Sequence, residues 1–305
     1  MTIRENVLVA GSGNITGMNI ISALKTANIP VYGCDFNTIN PANTLCNNFI
    51  IHKCDSNEYI IDILDIIEKY HITHIIASND HDVRALAEAY TKLADRKVSL
   101  NGYSENILNW LDKEKTATLF SQNGFLTPPI LNEKFNFPYV LRKNKMGNKQ
   151  KFVHIVNSEN DLHKIQNEDY ENGIITRYIK GKEYTIDVLS DSNGKVISAI
   201  PRLRIEVKGG MVHHAKIINN QKLINLISRM CIRLKITGIS CIQCIENNEG
   251  EYYFLEVNPR PGSGMDLSIN AGVNIPKLWF EKATKAPEPK WGLQMIRYFN
   301  GYYFM

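Results

Sequence analysis

The sequence predicts an α/β amino-terminal part running into an α+β part with mostly antiparallel strands. Three observations carry this. Residues 6–35 read as strand, glycine turn, helix and strand (NVLVAGSG, NITGMNIISALKTANI, PVYGCD), the start of a βαβ unit. A second unit follows in YIIDILDIIEKY and HITHIIASND, a helix and then a short apolar strand with a polar end. From about Phe137 the texture changes to strands and hairpins, with DSNG and NNEG supplying turns.

Taken in order, strands alternating with helices imply a parallel sheet whose polar strand ends lie on one side. DVRALAEAYTKLA is a further helical run. The polar stretch Asn101–Ser104 separates it from the helical pattern ENILNWLDKEKTATLFSQNG, which Gly124 and Pro128-Pro129 end. FPYVLRK, FVHIVN, GIITRYI, EYTIDVLSD, KVISAIPRLRIEV, GISCIQCIE and EYYFLEVN read as strands, interrupted by one helix, QKLINLISRMCIRLK. The aromatic tail WGLQMIRYFNGYYFM is expected to pack down as a final strand.

With 305 residues the chain has room for two or three modest domains. Its 44% apolar and 22% charged content is that of a soluble globular protein. No apolar run approaches the roughly 20 residues of a membrane helix. The start, MTIRENVLVAGSG, lacks a signal-peptide core, so a cytoplasmic location and no membrane partner are expected. A net charge of +4 is too mild to imply nucleic acid. Six scattered cysteines make no disulfide framework. Cys241 and Cys244 stand three apart in a strand and face opposite sides, as buried structural residues would.

Residues two apart share a strand face, so FLEVNPRPGSG lines up Glu256, Asn258 and Arg260 opposite Leu255 and Val257. A carboxylate, a neutral oxygen ligand and a cation in a row suit a magnesium–phosphate complex. A polar outer face at a strand end would look the same. The turn Gly11-Ser-Gly13-Asn-Ile-Thr-Gly17 is GxGxxxG, not the GxGxxG dinucleotide pattern, and Asp35 ends the second strand where an NAD-binding fold holds a ribose. An NAD-linked oxidoreductase is therefore a rival reading of residues 1–35, although no hydride-transfer constellation follows.

Arg142, Lys143, Lys145, Lys149 and Lys151 place five cations in ten residues between two strands. Such a loop can wrap a polyphosphate, and it lacks the interleaved aromatics that stack bases. An exposed hairpin is the plain alternative. In TRYIKGKEYTIDV two strands meet at a short link, which can offer backbone groups to an adenine edge while Glu183 takes ribose hydroxyls.

The order Lys113, Arg142 with its basic loop, the link before Glu183, then Gln243, Glu256, Asn258 and Arg260 resembles the ATP-grasp superfamily. The likeness is greatest to the synthetase half-domains of the carbamoyl-phosphate synthase large subunit. FPYVLRK, GKEYTIDV, CIQCI and FLEVNPR match that family's segments in order, over about residues 6–280. The resemblance implies a Rossmann-like preATP-grasp domain over 1–105 and a two-subdomain ATP-grasp fold. Its lid subdomain would span 106–185, its metal-bearing subdomain 186–290, and a strand or tail 291–305 would follow.

It also implies roles. Lys113 and Arg142, with Lys143 beside it, would contact ATP phosphates. The backbone of Arg177, Tyr178 and Ile179 would meet adenine, and Glu183 the ribose; His213 falls near a family histidine. Gln243, Glu256 and Asn258 would hold Mg²⁺, and Arg260 would stabilise the transferring phosphoryl group. Arg202 and Arg204, with Lys208, are candidates to anchor an anionic substrate, or else form a solvent-facing basic strand.

The chain departs from the family pattern at Lys143, where proline is usual, in the glycine-poor KMGNKQK, and in PGSGMDL, which lacks a second arginine. That last difference argues against carboxyphosphate chemistry. The expectation is an ATP-dependent, ADP-forming carboxylate–amine ligase with a mobile lid over 143–151, small-molecule partners and a homodimer as an allowed assembly. A non-catalytic nucleotide-binding module is the second rival.

Overall fold

The structure of the protein, a computed structural model, describes residues 5–131, 137–143, 153–171, 173–298 and 301. The expectations for Lys145, Lys149, Lys151 and the rest of the loop, and for the tail past 301, lie outside the described residues.

The first sheet contains β1 (Asn6–Ala10), β2 (Val31–Asp35), β3 (Asn48–Ile50), β4 (Ile72–Ala77) and β5 (Ser99–Leu100). All its pairings are parallel, in the order β3-β2-β1-β4-β5. Alternation along β1 sorts its side chains. Leu8 and Ala10 pack with Ile63, Ile66 and Ile67 of the helix Tyr59–Tyr70. Val7 and Val9 pack with Ile20, Ile21 and Leu24 of the helix Ile15–Thr26. A parallel sheet covered on both faces favours a near-continuous apolar run in its central strand, and Val7 to Ala10 of β1 are fully buried.

A small antiparallel sheet, order β7-β6-β8, is built from β6 (Tyr139–Lys143), β7 (Val153–Val156) and β8 (Gly173–Arg177) around Tyr139, Leu141 and Val156. The large sheet holds β9 (Gly181–Ser190), β10 (Val196–Lys208), β11 (Met211–Ile217), β12 (Gly238–Asn247), β13 (Tyr252–Asn258) and β14 (Gln294–Ile296). Its order is β13-β12-β9-β10-β11-β14, antiparallel at every step. Gly181 joins the two sheets, and a Cβ there would run into the carbonyl of Glu246.

The seven strands and the helix expected after Phe137 are all present, the helix as Gln221–Leu234. Two expected helices are divided, and β11 is a strand that was not expected. The run 105–124 is not one helix: Asp112 is extended, and its carboxylate accepts from the amides of Glu114 and Lys115, so the helix begins at Lys113. DVRALAEAYTKLA breaks at Ala89 into Asp80–Glu88 and Tyr90–Asp95.

The central strands of the large sheet are covered on both faces. Ile186, Val188, Ile242 and Phe254 face Leu223, Ile227 and Met230 of the long helix. On the other face Ile200, Ala215, Ile217 and Ile239 share a core with Val7, Val9 and the helix Ile15–Thr26, which joins the first part to the second. Asn101 reinforces that junction. Its Nδ2 donates to the Ile239 carbonyl at 3.1 Å, and its Oδ1 accepts from the Ile239 amide at 2.7 Å, all in buried surroundings. Asn101→Ala would orphan both backbone groups and should lower stability by roughly 1–3 kcal/mol, read as a reduced urea midpoint with an unchanged slope.

Candidate active site

The glycine turn after β1 is the first place where the NAD reading can be tested. Gly11 takes φ +70°, and a Cβ there would collide with Ser78, Asn79 and Asp82. Asn14 donates to the Gly11 carbonyl at 2.9 Å and to Ser78 at 2.6 Å. Asp35, expected to await a ribose, accepts from the amides of Gly13 and Asn37, each at 3.0 Å. The turn and Asp35 are thus engaged by the chain's own groups, and nothing beside them supports the oxidoreductase reading.

The second cluster lies at the end of β12 and β13. Gln243 stands directly opposite Glu256, and Cys241 opposite Asn258. Opposed residues of an antiparallel pair share a face, so Gln243, Glu256 and Asn258 point the same way. Cys244 falls on the other side of a register shift, in the core with Tyr184 and Phe254. Both cysteines are buried, as expected.

The helix Lys113–Gln122 is seated on β13 by Phe120 against Phe254, with ring centroids 5.7 Å apart. Its first residue therefore reaches the strand end, where the Lys113 ammonium lies 3.1 Å from Glu256 Oε2. Asn258 Nδ2 donates to Glu256 Oε1 at 3.0 Å. Burial alone would raise the Glu256 pKa, but Lys113, Asn258 and Arg142 outweigh it and hold the carboxyl at about 2.

Arg142 approaches from the small sheet. It is 7% exposed and donates from Nη1 to the Leu255 carbonyl at 3.3 Å. Among the described residues its buried Nε and Nη2 have no partner. Burial pushes its pKa down, against the pull of Glu256. An orphaned buried guanidinium is costly unless an anion comes to it. Lys143, expected to join Arg142, is turned by the strand pleat to the Tyr139–Leu141 face instead.

Other expected residues are placed as follows. Glu183 pairs with Arg204 at 3.1 Å, and Arg204 also donates to Thr185 at 3.2 Å and to the Gly210 carbonyl at 3.2 Å. Burial raises the Glu183 pKa, Arg204 opposes this, and Glu256 adds to it, so the two acids share one neighbourhood. The Arg177 amide is taken by the Pro129 carbonyl at 2.9 Å, which leaves the link at Tyr178 and Ile179 as the stretch able to meet a base. His213 lies on β11, four strand positions from β13, outside this cluster.

Arg202 requires a correction. It is 1% exposed and forms a two-bond pair with Asp187, Nε–Oδ2 2.7 Å and Nη2–Oδ1 2.8 Å. Ser268 adds a third bond to Asp187 at 2.6 Å. So enclosed, Arg202 neither anchors a substrate nor faces solvent. Lys208 is exposed and pairs with Glu206 at 2.8 Å.

Arg260 is held from the first domain. Its Nε meets Asp80 Oδ1 at 2.5 Å, its Nη1 donates to the Pro261 carbonyl at 3.1 Å, and its Nη2 lies 3.4 Å from Asn258 Oδ1. Burial works against its charge, and Asp80 more than offsets this. Sequence reasoning missed Asp80 and Asp187. Asp187 was visible as an acid flanked by Ile186, Val188 and Leu189, where a charge calls for a buried partner.

One carboxylate and two amide oxygens on adjacent strands, flanked by two cations, can hold a divalent ion bridged to a polyphosphate. Among the described residues no group of three His, Cys, Asp or Glu could hold a metal by itself. That lean donor set fits Mg²⁺, which keeps waters and phosphate oxygens around it. Among the described residues no helix is long and apolar enough to cross a membrane.

Residues 169–297 match the family described as ATP-grasp in the biosynthetic pathway with Ter operon, and residues 7–101 match the PylC-like, N-terminal domain. The chain is similar to the D-alanine--D-alanine ligase of Fusobacterium nucleatum, 26% identical over 207 residues, which covers 63% of this chain and 71% of that one. Its fold is similar to the ADP complex of purK, an N5-carboxyaminoimidazole ribonucleotide synthetase, with TM-score 0.77 and 16% identity over 97% of this chain and 83% of the other. It is also similar to the biotin carboxylase domain of the Hydrogenobacter thermophilus 2-oxoglutarate carboxylase with MgADP and bicarbonate. There the TM-score is 0.71 at 15% identity, over 92% of this chain and 70% of that one.

Two outcomes test the geometry. Arg202→Met would leave Asp187 as an uncompensated buried charge and should cost roughly 3–5 kcal/mol in chemical denaturation. Glu256 has a folded pKa near 2 against an ordinary 4.5, so it stabilises the fold at neutral pH, and that contribution fades as pH falls from about 4.5 towards 2. The stability gap between wild type and Glu256→Gln should therefore narrow as melts are taken to lower pH.

Proposed function

We propose that the chain is an ADP-forming carboxylate–amine ligase of the ATP-grasp superfamily with a PylC-like amino-terminal domain, a reading supported by the two family matches and by the similarity to a D-alanine--D-alanine ligase. The observation that carries this reading is Arg142: a buried guanidinium, two of whose nitrogens have no hydrogen-bond partner among the described residues, beside the Glu256–Asn258–Gln243 oxygen set. The nucleotide is ATP. Magnesium, when held by Glu256, Asn258 and Gln243, supplies charge neutralisation and orientation of the phosphates.

In this reading the substrate carboxylate attacks the γ-phosphorus, the bond to the β-phosphate oxygen breaks, and ADP leaves with that electron pair. An amine then attacks the acyl-phosphate carbon, expels phosphate and gives up a proton to solvent, leaving an amide bond; a thiol, less often the nucleophile, would leave a thioester in the same way. Lys113 and Arg142 contact the phosphates and neutralise their charge. Arg260, aimed by Asp80 and Asn258, stabilises the transferring phosphoryl group. The Tyr178–Ile179 backbone meets adenine, and Glu183, steadied by Arg204, takes the ribose.

Residues 1–105 shape the acceptor side, 106–185 the lid and 186–290 the metal side, with the nucleotide between the last two. Residues 143–151 would exclude water, which hydrolyses acyl-phosphates. Within the superfamily we set the chain beside the carbamoyl-phosphate synthase halves for its motif order, without their carboxyphosphate step. Six cysteines without disulfides support a cytoplasmic setting.

The test is ADP release screened against amino acids and small carboxylic acids, each paired with a panel of amines. We expect release that needs magnesium, an acid and an amine together. Glu256→Gln and Arg142→Met should each lower it roughly 10²–10³-fold. Background release across the whole panel would sink the proposal and leave a nucleotide-binding module.

A further inference from the structure

Every oxygen of the Glu256–Asn258 pair already faces a nitrogen donor. Lys113 Nζ lies 3.1 Å from Glu256 Oε2, Asn258 Nδ2 lies 3.0 Å from Glu256 Oε1, and Arg260 Nη2 lies 3.4 Å from Asn258 Oδ1. A divalent ion cannot take Glu256 Oε2 while the ammonium is there, because two cations would compete for one oxygen. The charge balance points the same way. Glu256 is one negative charge beside the two positive charges of Lys113 and buried Arg142. A bare divalent ion would add to that positive excess in a poorly screened site, whereas an anionic metal–triphosphate complex relieves it.

We propose that Lys113 reserves Glu256 for a metal that arrives on nucleotide. The ammonium holds the carboxylate until a triphosphate draws it off, so the chain takes up the metal–nucleotide complex and discriminates against the free ion. This rests on the ligase reading above. Asp112 makes the device workable. By capping the helix at Glu114 and Lys115 it anchors the Lys113 backbone, while the four-carbon side chain stays free to swing from carboxylate to phosphate.

The test uses Mn²⁺ in place of magnesium, counting bound metal on the full chain by loss of the aqueous Mn²⁺ EPR signal. Titrations are run with and without a non-hydrolysable ATP analogue. Wild type should bind Mn²⁺ at least about tenfold more tightly with the analogue than without it. Lys113→Met should bind Mn²⁺ without nucleotide about tenfold more tightly than wild type, and Lys113→Met/Glu256→Gln should lose that gain. The proposal is overturned if wild type takes up one Mn²⁺ equally well with and without the analogue, a result that needs no variant. It is also overturned if folded Lys113→Met shows no gain. If wild type binds neither the analogue nor its Mn²⁺ complex, the ligase reading itself fails, which separates the two ideas.

Discussion

The chemistry of this protein depends on a two-residue period running across four neighbouring strands. Glu183, Thr185 and Asp187 on β9, Arg202 and Arg204 on β10, Cys241 and Gln243 on β12, and Glu256 and Asn258 on β13 occupy one face in register. The intervening residues, Tyr184, Ile186, Ile242 and Val257, form the core against the long helix. A one-residue slip of any strand would put charges into that core and Ile or Val into the site, so the hydrophobic set fixes the polar set.

The arginines on that face, and Arg142 approaching it from the small sheet, differ in how fully their nitrogens are used. Arg202 and Asp187 enclose each other, with Ser268 as a third partner, and such a closed arrangement fastens β9 to β10 and to the segment after the NPR motif. Arg204 is shared among Glu183, Thr185 and Gly210, and steadies a neighbour. Arg142 keeps two buried nitrogens without a partner among the described residues. Arg204 Nε also lacks a hydrogen bond of good geometry but lies in ion-pair range of Glu183, so what sets Arg142 apart among the described residues is two buried nitrogens with no counter-charge paired to them.

Much of this was legible in the sequence because alternation is a local property. Seven strands after Phe137, the opposite facing of Cys241 and Cys244, and the alignment of Glu256 with Asn258 follow from spacing alone, whereas β11 was not expected. The partners of those residues do not. That Arg202 would meet Asp187 and not solvent depends on strands pairing β9 to β10, whereas the turning of Lys143 away from Arg142 follows from the same alternation within β6. The glycine turn misled for a related reason: its pattern is a nucleotide signal only if the turn stays free, and Asn40, Asn79 and Asp82, distant in sequence, lie against it.

The ion pair between Asp80 and Arg260 ties the amino-terminal domain to the strand end that carries the NPR arginine, across 180 residues of chain. The two domains are consequently not interchangeable parts. A hybrid that grafts the amino-terminal domain of a relative onto this body, in search of a new acceptor, would inherit an arginine whose counter-charge had been left behind unless an acid travelled with the graft at the start of the helix after β4. Diversification of the acceptor side is thereby bound to a single compatible carboxylate.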